Sequence, residues 1–383
     1  MQIVALGWLV FQLTDSAFWV GVVAAASSVP AVIFSLFGGW IVDHFPKKSV
    51  LFYSNMGSMF LAFILGALTL SGHVNIPIII IISFLGGVSN SVCTPAHFSY
   101  ISEIVEPDKL TSAMALNSSI SNLGRILGPI ITGIYIKIGG IGGAFVINGL
   151  SYVAVLLALH LIKSSNQVTD HNINPLKAIR EGIVYAYANP MIRSIITYVG
   201  FASIFAWSYT TIIPVLAKEI FSTDATGMSY LYGAVGIGAV TATFFAAFFS
   251  HLISKLALFI AGNSIFSISL LLFSFTSSLF LGTILLFFVG LGLVTVNIVL
   301  GTIVQHMTDP HYRGRVSSIY FLFYGGIIFL GNLEIGYLSD TFNPQMALRL
   351  NTIAMLAVGV YIFLTKNRLR QAQSEYNETL THN

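Results

Sequence analysis

Residues 18–48 read FWVGVVAAASSVPAVIFSLFGGWIVDHFPKK, and the class of the chain turns on them. Phe18–Val42 carries no charged residue. A bilayer core is about 30 Å thick and takes ~20 apolar residues as a helix, so this run is long enough to cross it. Asp43 ends the run, and Pro46, Lys47 and Lys48 make a basic turn before the next apolar stretch. The pattern repeats. Val50–Leu70, Ile76–Tyr100, Ser112–Ile136 and Ile141–Ile162 follow. Beyond a polar segment come Ile195–Leu216, Thr226–Ser250, Leu256–Thr276, Leu279–Met307, Val316–Leu338 and Met346–Thr365. Met1–Thr14 is also apolar but reaches only roughly 21 Å as a helix. It is expected to be the outer part of a first span whose cytoplasmic part is missing, so that either about 20–30 further residues are encoded upstream or the chain is a defective truncated product. No Lys or Arg precedes this run and no small-residue cleavage site stands out, which argues against a signal peptide.

Composition supports the same class. Of 383 residues, 56% are hydrophobic and 8% charged, and mean hydropathy is +0.86. A water-soluble globule of this size needs about 25% charged residues to cover its surface. Disorder and nucleic-acid binding need many exposed charges and are excluded too. The single cysteine, Cys93, sits in an apolar run and rules out an internal disulfide and a Cys-rich metal site. No metal or cofactor is expected.

The basic residues set orientation. Lys47, Lys48, Lys109, Lys163, Lys177, Arg180, Arg193, Lys255, Arg313, Arg315, Lys366, Arg368 and Arg370 fall on the side of the two termini. Only Lys137, Lys218 and Arg349 fall on the other, so both ends are predicted to be cytoplasmic. The polar segment divides the spans six and six. The expected organisation is an N-terminal six-helix half over residues 1–163 and a cytoplasmic linker over 164–190. A C-terminal six-helix half over 191–366 and a cytoplasmic tail over 367–383 complete it. In the linker, Leu176, Ile179, Ile183 and Tyr187 recur at helical spacing, with Lys177, Arg180 and Glu181 on another face. This predicts a short amphipathic helix, lying on the membrane surface or solvated as a linker. A faint repeat relates the halves. Glu106-Pro107 and Asp309-Pro310 lie 203 positions apart, and the same offset places Gly128 on Gly331 and Gly133 on Gly336.

Several motifs point to one family. Gly39, Asp43, Lys47 and Lys48 match the Gly-x-x-x-Asp-(Arg/Lys)-x-Gly-(Arg/Lys)-(Arg/Lys) turn between spans two and three of the major facilitator superfamily, with His44 and Pro46 departing from it. In the fifth span, Gly124-Arg125-Ile126-Leu127-Gly128-Pro129-Ile130-Ile131-Thr132-Gly133 resembles that superfamily's Gly-x-x-x-Gly-Pro-x-x-x-Gly signature, associated with proton-coupled exporters. Gly124 and Gly128 offer a flat face to a neighbouring helix, and Pro129 frees a backbone carbonyl and permits a bend. Trp8–Ser16, Asn117-Ser118, Arg180–Gly182, Asn189-Pro190 and Arg313-Gly314-Arg315-Val316 are similar to the branch that holds macrolide-efflux and enterobactin-type siderophore exporters. The resemblance implies an all-α, twelve-helix fold in a bacterial-type cytoplasmic (inner) membrane. It also implies a gating role for Gly39, Asp43, Lys47, Lys48, Gly124, Gly128, Pro129, Gly133, Arg313 and Arg315. In particular it implies that Asp43 meets the start of span eleven when the molecule faces outward.

Polar groups inside spans are costly and usually functional. Arg125 lies deep in the fifth span, and Asn117, Ser121, Arg125, Gly128 and Thr132 share one helix face. Two readings stand: an anion-attracting or proton-linked group in a cavity, or an arginine bonded to helix carbonyls. Glu334 is the one carboxylate inside a span, either a proton carrier or a solvated rim residue. Asn90, Thr94 and His97 share a face of span four and are candidates to touch cargo or line a water path. Phe205, Trp207, Tyr209, Tyr320 and Tyr324 are candidates to line an apolar pocket, although such residues more often pack or sit at the lipid interface.

Three classes compete. A secondary transporter accounts for twelve spans, two halves and both signatures. A membrane-embedded lipid-modifying enzyme needs convergent ligands or a nucleophile with its base, and the spans contain no Asp-rich pair or His-x-x-x-His. An ATP-driven pump needs a phosphate-binding loop, and none is present. The expectation is therefore a non-enzymatic, monomeric exporter of a small amphipathic compound of drug, macrolide or siderophore type. Proton antiport by alternating access is its implied mechanism. An uptake symporter of the same fold is the alternative.

Overall fold

The computed structural model describes the backbone of residues 1–106, 108–162, 175–249, 253–309 and 312–381. The side chains of residues 35–40, 42, 43, 111, 115, 175–179, 249, 362, 363 and 365–381 lie outside the description. Pro107, Pro310 and the Asp43 and Gly39 side-chain positions are among those not described.

The described chain is helical. α1 (Gln2–Thr14), α2 (Ala17–His44), α3 (Lys47–Leu70), α4 (Ile76–Ile104) and α5 (Leu110–Leu161) come first. α6 (Pro175–Ala188) is the helix of the linker. α7 (Pro190–Phe201) runs through a π turn (Ala202–Ala206) and a 3-10 segment (Trp207–Ile212) into α8 (Ile213–Glu219). α9 (Ala225–Phe249), α10 (Lys255–Phe273) and α11 (Leu279–Met307) follow. α12 (Arg313–Phe321) passes through a second π turn (Leu322–Gly326) into α13 (Ile328–Thr341), and α14 (Pro344–Thr381) ends the chain.

Among the described residues, 9 helical segments are long and apolar enough to cross a membrane. One of them holds two spans. α5 breaks at Gly140, whose φ of 69° is a left-handed conformation that costs glycine little. With α1 and the first part of α14 this is the twelve-helix major facilitator fold of two six-helix halves. Hydrocarbon offers no hydrogen bonds, so helix starts need partners from the chain. Ser16, Asn75, Asn189, Ser254 and Ser278 each accept a backbone N–H at the start of α2, α4, α7, α10 and α11.

Two seams join the halves: α2 against α13 and α5 against α9. The faint repeat is realised there. A methyl group on Gly336 would stand 2.8 Å from Ala17 O at the start of α2, and one on Gly133 would stand 3.1 Å from Ala225 O at the start of α9. The other pair of repeat glycines packs within its own half. Gly128 abuts Met1 N of α1, and Gly331 abuts the Ile204 carbonyl in the π turn after α7. Each half thus uses one glycine toward its own first span and one toward the second span of the other half.

Candidate functional site

Hydrogen bonds and an ion pair join the halves at one end of the molecule, marked by Asp340. The Ala17 N–H donates to Asp340 Oδ1 at 2.6 Å, and the Ser16 hydroxyl donates to Asp340 Oδ2. Asp340, at the end of α13, therefore caps the start of α2 from the opposite half. A carboxylate at a helix start meets unpaired N–H groups and about half a positive charge. Beside it, Lys218 Nζ pairs with Asp15 Oδ1 at 2.5 Å, again across the halves. Glu219 shares the field of Asp340, Lys218 and Asp15.

At the opposite end, marked by Lys47, the described ion pairs stay within a half or hold the linker helix. Lys47 pairs with Glu103 of α4 at 3.1 Å. Lys48 Nζ donates to the Ile162 carbonyl at 2.6 Å. Arg315 pairs with Glu181 of α6 at 2.7 Å, while Arg313 Nε donates to the Thr308 carbonyl at 3.3 Å. Gly182 lets α6 approach Arg315 and Ile319. Tyr185 stacks on Tyr312 at 4.5 Å and accepts the Asp309 N–H. The α6 stripe divides accordingly. Ile183 and Tyr187 are exposed, Ala186 is buried, and the Leu176 and Ile179 side chains lie outside the described residues.

α5 shows where the molecule opens. On its Lys47-side half, Leu116, Ile120 and Leu123 are exposed on one face, and Ser118, Ser121 and Arg125 are exposed on the opposite face. On its Asp340-side half, Pro129, Thr132 and Gly133 are buried. A helix accessible on two opposite faces has lipid on the apolar face and a water-filled cleft on the polar one. Asn117 is half-buried on the edge of that polar face. The exposed Asn90, Thr94 and His97 of α4 share a face, with the Thr94 hydroxyl 3.5 Å from Asn90 Oδ1.

Arg125 stands at the apex, where the α5–α9 seam begins. Pro129 has no N–H to give the Arg125 carbonyl, and that carbonyl faces Gly236 of α9, where a methyl group would stand 3.0 Å away. Tyr324 of the other half lies in the π turn after α12. Around Tyr324, Trp207 lies at 4.1 Å between ring centroids and Tyr320 stacks at 6.2 Å. Asn297 of α11 bonds the Tyr324 hydroxyl at 3.3 Å, and its other amide atom, Oδ1, is buried without a partner. The two π turns meet here, for Ser203 donates to the Tyr324 carbonyl at 3.0 Å. π turns are frequent at functional sites because they re-aim side chains and free carbonyls.

Several expectations change. Gly124 has no neighbour within 4 Å of a Cβ, so it packs no helix here; the close contacts fall on Gly128 and Gly133. Glu334 accepts a hydrogen bond from Asn351 Nδ2 at 2.9 Å between α13 and α14. Tyr209 is fully buried beside Phe266, and Phe205 stacks on Phe201, so only Trp207, Tyr320 and Tyr324 of the five aromatics converge. Sequence reasoning missed Asn297, Ser203, Gly236 and Asp340. A lone Asn in an apolar span is the same signal that marked Arg125, and it identifies Asn297. Nothing in the sequence marks Asp340, whose contact lies 323 positions away.

Two helical halves sealed at one end around a polar cleft define a multi-pass membrane transporter. The whole of residues 1–382 matches the transmembrane secretion effector family, and the chain belongs to that family of the major facilitator superfamily. It is 25% identical to a staphyloferrin A transporter of Staphylococcus aureus, covering 99% of this chain and 95% of that protein. It is 24% identical to the multidrug efflux pump Tap of Mycolicibacterium fortuitum, covering 96% and 92%. It is 21% identical to the enterobactin exporter EntS of Escherichia coli, covering 97% and 90%. Among solved structures, the nucleoside transporter NupG superposes with a TM-score of 0.73 at 13% identity, covering 95% of this chain and 94% of that one. A bacterial homologue of the lysosomal transporter Spinster, described as inward-facing and unoccupied, gives 0.70 at 13% identity, covering 98% and 96%. These likenesses carry the fold alone.

Proposed function

We propose that this protein is a secondary active exporter of a small amphipathic compound, working by proton antiport and alternating access. The observation that carries the reading is the contrast along the cleft: bonds across the halves at the Asp340 end, and an exposed polar face of α5 from Ser118 to Arg125 on the Lys47 side. In the orientation set by the basic residues, both termini are cytoplasmic, the Asp340 end is outer and the arrangement faces inward. A bacterial cytoplasmic membrane is the setting, as the bacterial relatives suggest. Residues 1–163 and 191–366 move as units about the linker 164–190, with 367–383 as a cytoplasmic tail, and one chain suffices for transport.

α2 and α13 would then work as a reciprocal pair. Asp340 at the end of α13 caps the start of α2 when the outer end is shut. Asp43 at the other end of α2 caps the start of α12, near Arg313, when the cytoplasmic end shuts. One cap forms as the other breaks. Export is favoured by two of the relatives, an exporter and an efflux pump. Transport into inside-out vesicles, with and without a proton gradient, tests the reading against a panel of amphipathic compounds. Gradient-dependent accumulation of at least one compound is expected. Equal accumulation with and without the gradient contradicts proton coupling, and none at all contradicts export.

A further inference from the structure

A cavity separate from the cleft lies wholly within the C-terminal half. It occupies about 660 Å³ between α7, α10, α11 and α14, and its lining residues all fall between Met191 and Val360. The lining changes with depth. Ser254 and Lys255, at the start of α10, stand exposed at one end. The walls are apolar, with Ile195, Phe259, Ile260, Leu300 and Leu356 facing the space. At the other end the Tyr198 hydroxyl donates to Asn263 Oδ1 at 2.7 Å, and this bonded pair forms the floor. Lys255 to Asn263 is roughly 12 Å along α10. One leaflet contributes about 15 Å to a bilayer core. The cavity therefore starts at headgroup level and ends just short of the midplane. Protein interiors are close-packed, so a space of this size calls for an occupant, and an apolar lining gives water too few partners. Val360 of α14 is exposed at the rim, where the cavity opens to the outside of the bundle. Lys255 is the one charge among the described lining residues, and no acid accompanies it there.

We propose that this cavity holds an acyl chain of an anionic phospholipid from the cytoplasmic leaflet, with the headgroup at Lys255 and the chain running between α7, α10 and α14 down to Tyr198. Depth, apolar walls and a lone cation at the mouth match the three parts of such a lipid: chain length, chain chemistry and headgroup charge. A lysine at the membrane surface favours anionic over zwitterionic headgroups. The chain fills the space that the three helices leave, and so braces the C-terminal half from within. Neither Arg125 nor any other residue of α5 takes part, so the site is distinct from the cleft.

The test uses the full chain in mild detergent and a phosphatidylglycerol that carries a photoreactive diazirine midway along one acyl chain. Labelled peptides are read by mass spectrometry. Label is expected at the cavity wall, on Phe259 and Leu356, as well as on exposed positions such as Phe60 of α3. Unlabelled phosphatidylglycerol should displace the wall label at a concentration about 5-fold lower than phosphatidylcholine with the same chains. Lys255→Gln keeps the wall label and brings the two competitors level. Leu356→Trp fills the space and lowers the label on Phe259 at least about 5-fold, while the label on Phe60 stays and reports a folded protein. If Leu356→Trp does not fold, the unaltered protein and Lys255→Gln decide the matter. Label confined to exposed positions, equal displacement by both lipids, or a preference that survives Lys255→Gln overturns the proposal. So does displacement of the wall label by an exported compound but by neither lipid, which would make the cavity a cargo pocket. The readout involves no transport, so failure of the exporter reading leaves its outcome unchanged.

Discussion

The two ends of this molecule are built from the same helices and held in opposite ways. At the Asp340 end the halves touch directly, through glycine seams and a carboxylate that caps a helix of the other half. At the Lys47 end the basic turn is tied to its own half, and the start of α12 is occupied by the linker helix. The difference teaches that closure here rests on backbone approach and helix-end electrostatics. Exposed ion pairs contribute little: Lys218 and Asp15 are 42% and 75% accessible, a setting in which such pairs are worth about 0–1 kcal/mol.

The largest effect should come from breaking a seam. Gly336→Leu places a side chain where even a methyl group would stand 2.8 Å from Ala17 O. Overpacking a tight contact costs roughly 1–3 kcal/mol or more. Export is expected to fall at least 10-fold, while Gly124→Ala, with open space around it, stays within about 2-fold; transport rates at matched expression check both. Next comes the trans cap. Asp340→Ala removes an N-cap worth about 0.5–2 kcal/mol and so shifts the population toward the outward-open form by roughly 2- to 30-fold, read by spin-label distances. Asp43→Asn probes the reciprocal cap and should shift the population the other way. Its expected size is about 0.3–1 kcal/mol, up to ~2 if partly buried, read by labelling of cytoplasmic cavity positions after replacement of Cys93. The smallest effect belongs to Lys218→Ala, expected to change export by less than about 5-fold. A Lys218 effect larger than that of Asp340 would reverse the ranking of the two contacts.

Much of the fold is legible because hydrocarbon imposes one length and one pattern on every span. Phe18–Val42, Leu279–Met307 and the break before Ile141 are all readable as runs, and the Gly133 and Gly336 repeat is realised in matching seams. Arg125 is legible for the same reason: a charge inside an apolar run needs a purpose. The rest depends on which helices meet. Glu334 reads as a proton carrier or a rim residue, and its partner, Asn351 of the next helix, is not marked by either reading. Tyr209 and Tyr324 look alike in sequence, yet the π turn at Leu322–Gly326 carries Tyr324 to the cleft while Tyr209 packs into the core. Gly124 and Gly133 sit in one motif, but the helix splays from its neighbour between them. Such outcomes follow from long-range packing, which spacing along one helix does not encode.

The most direct test of the account measures both ends at once. In a Cys93→Ser background, spin labels at His73→Cys and Ser277→Cys report the Asp340 end, and labels at Ser102→Cys and Gln305→Cys report the Lys47 end. All four positions are exposed, with one of each pair in each half. Titration with an exported compound under a proton gradient is predicted to lengthen the His73–Ser277 distance while the Ser102–Gln305 distance shortens, the two populations changing in proportion. Distances that lengthen together, or that stay fixed while export proceeds, would contradict alternating closure of the two ends.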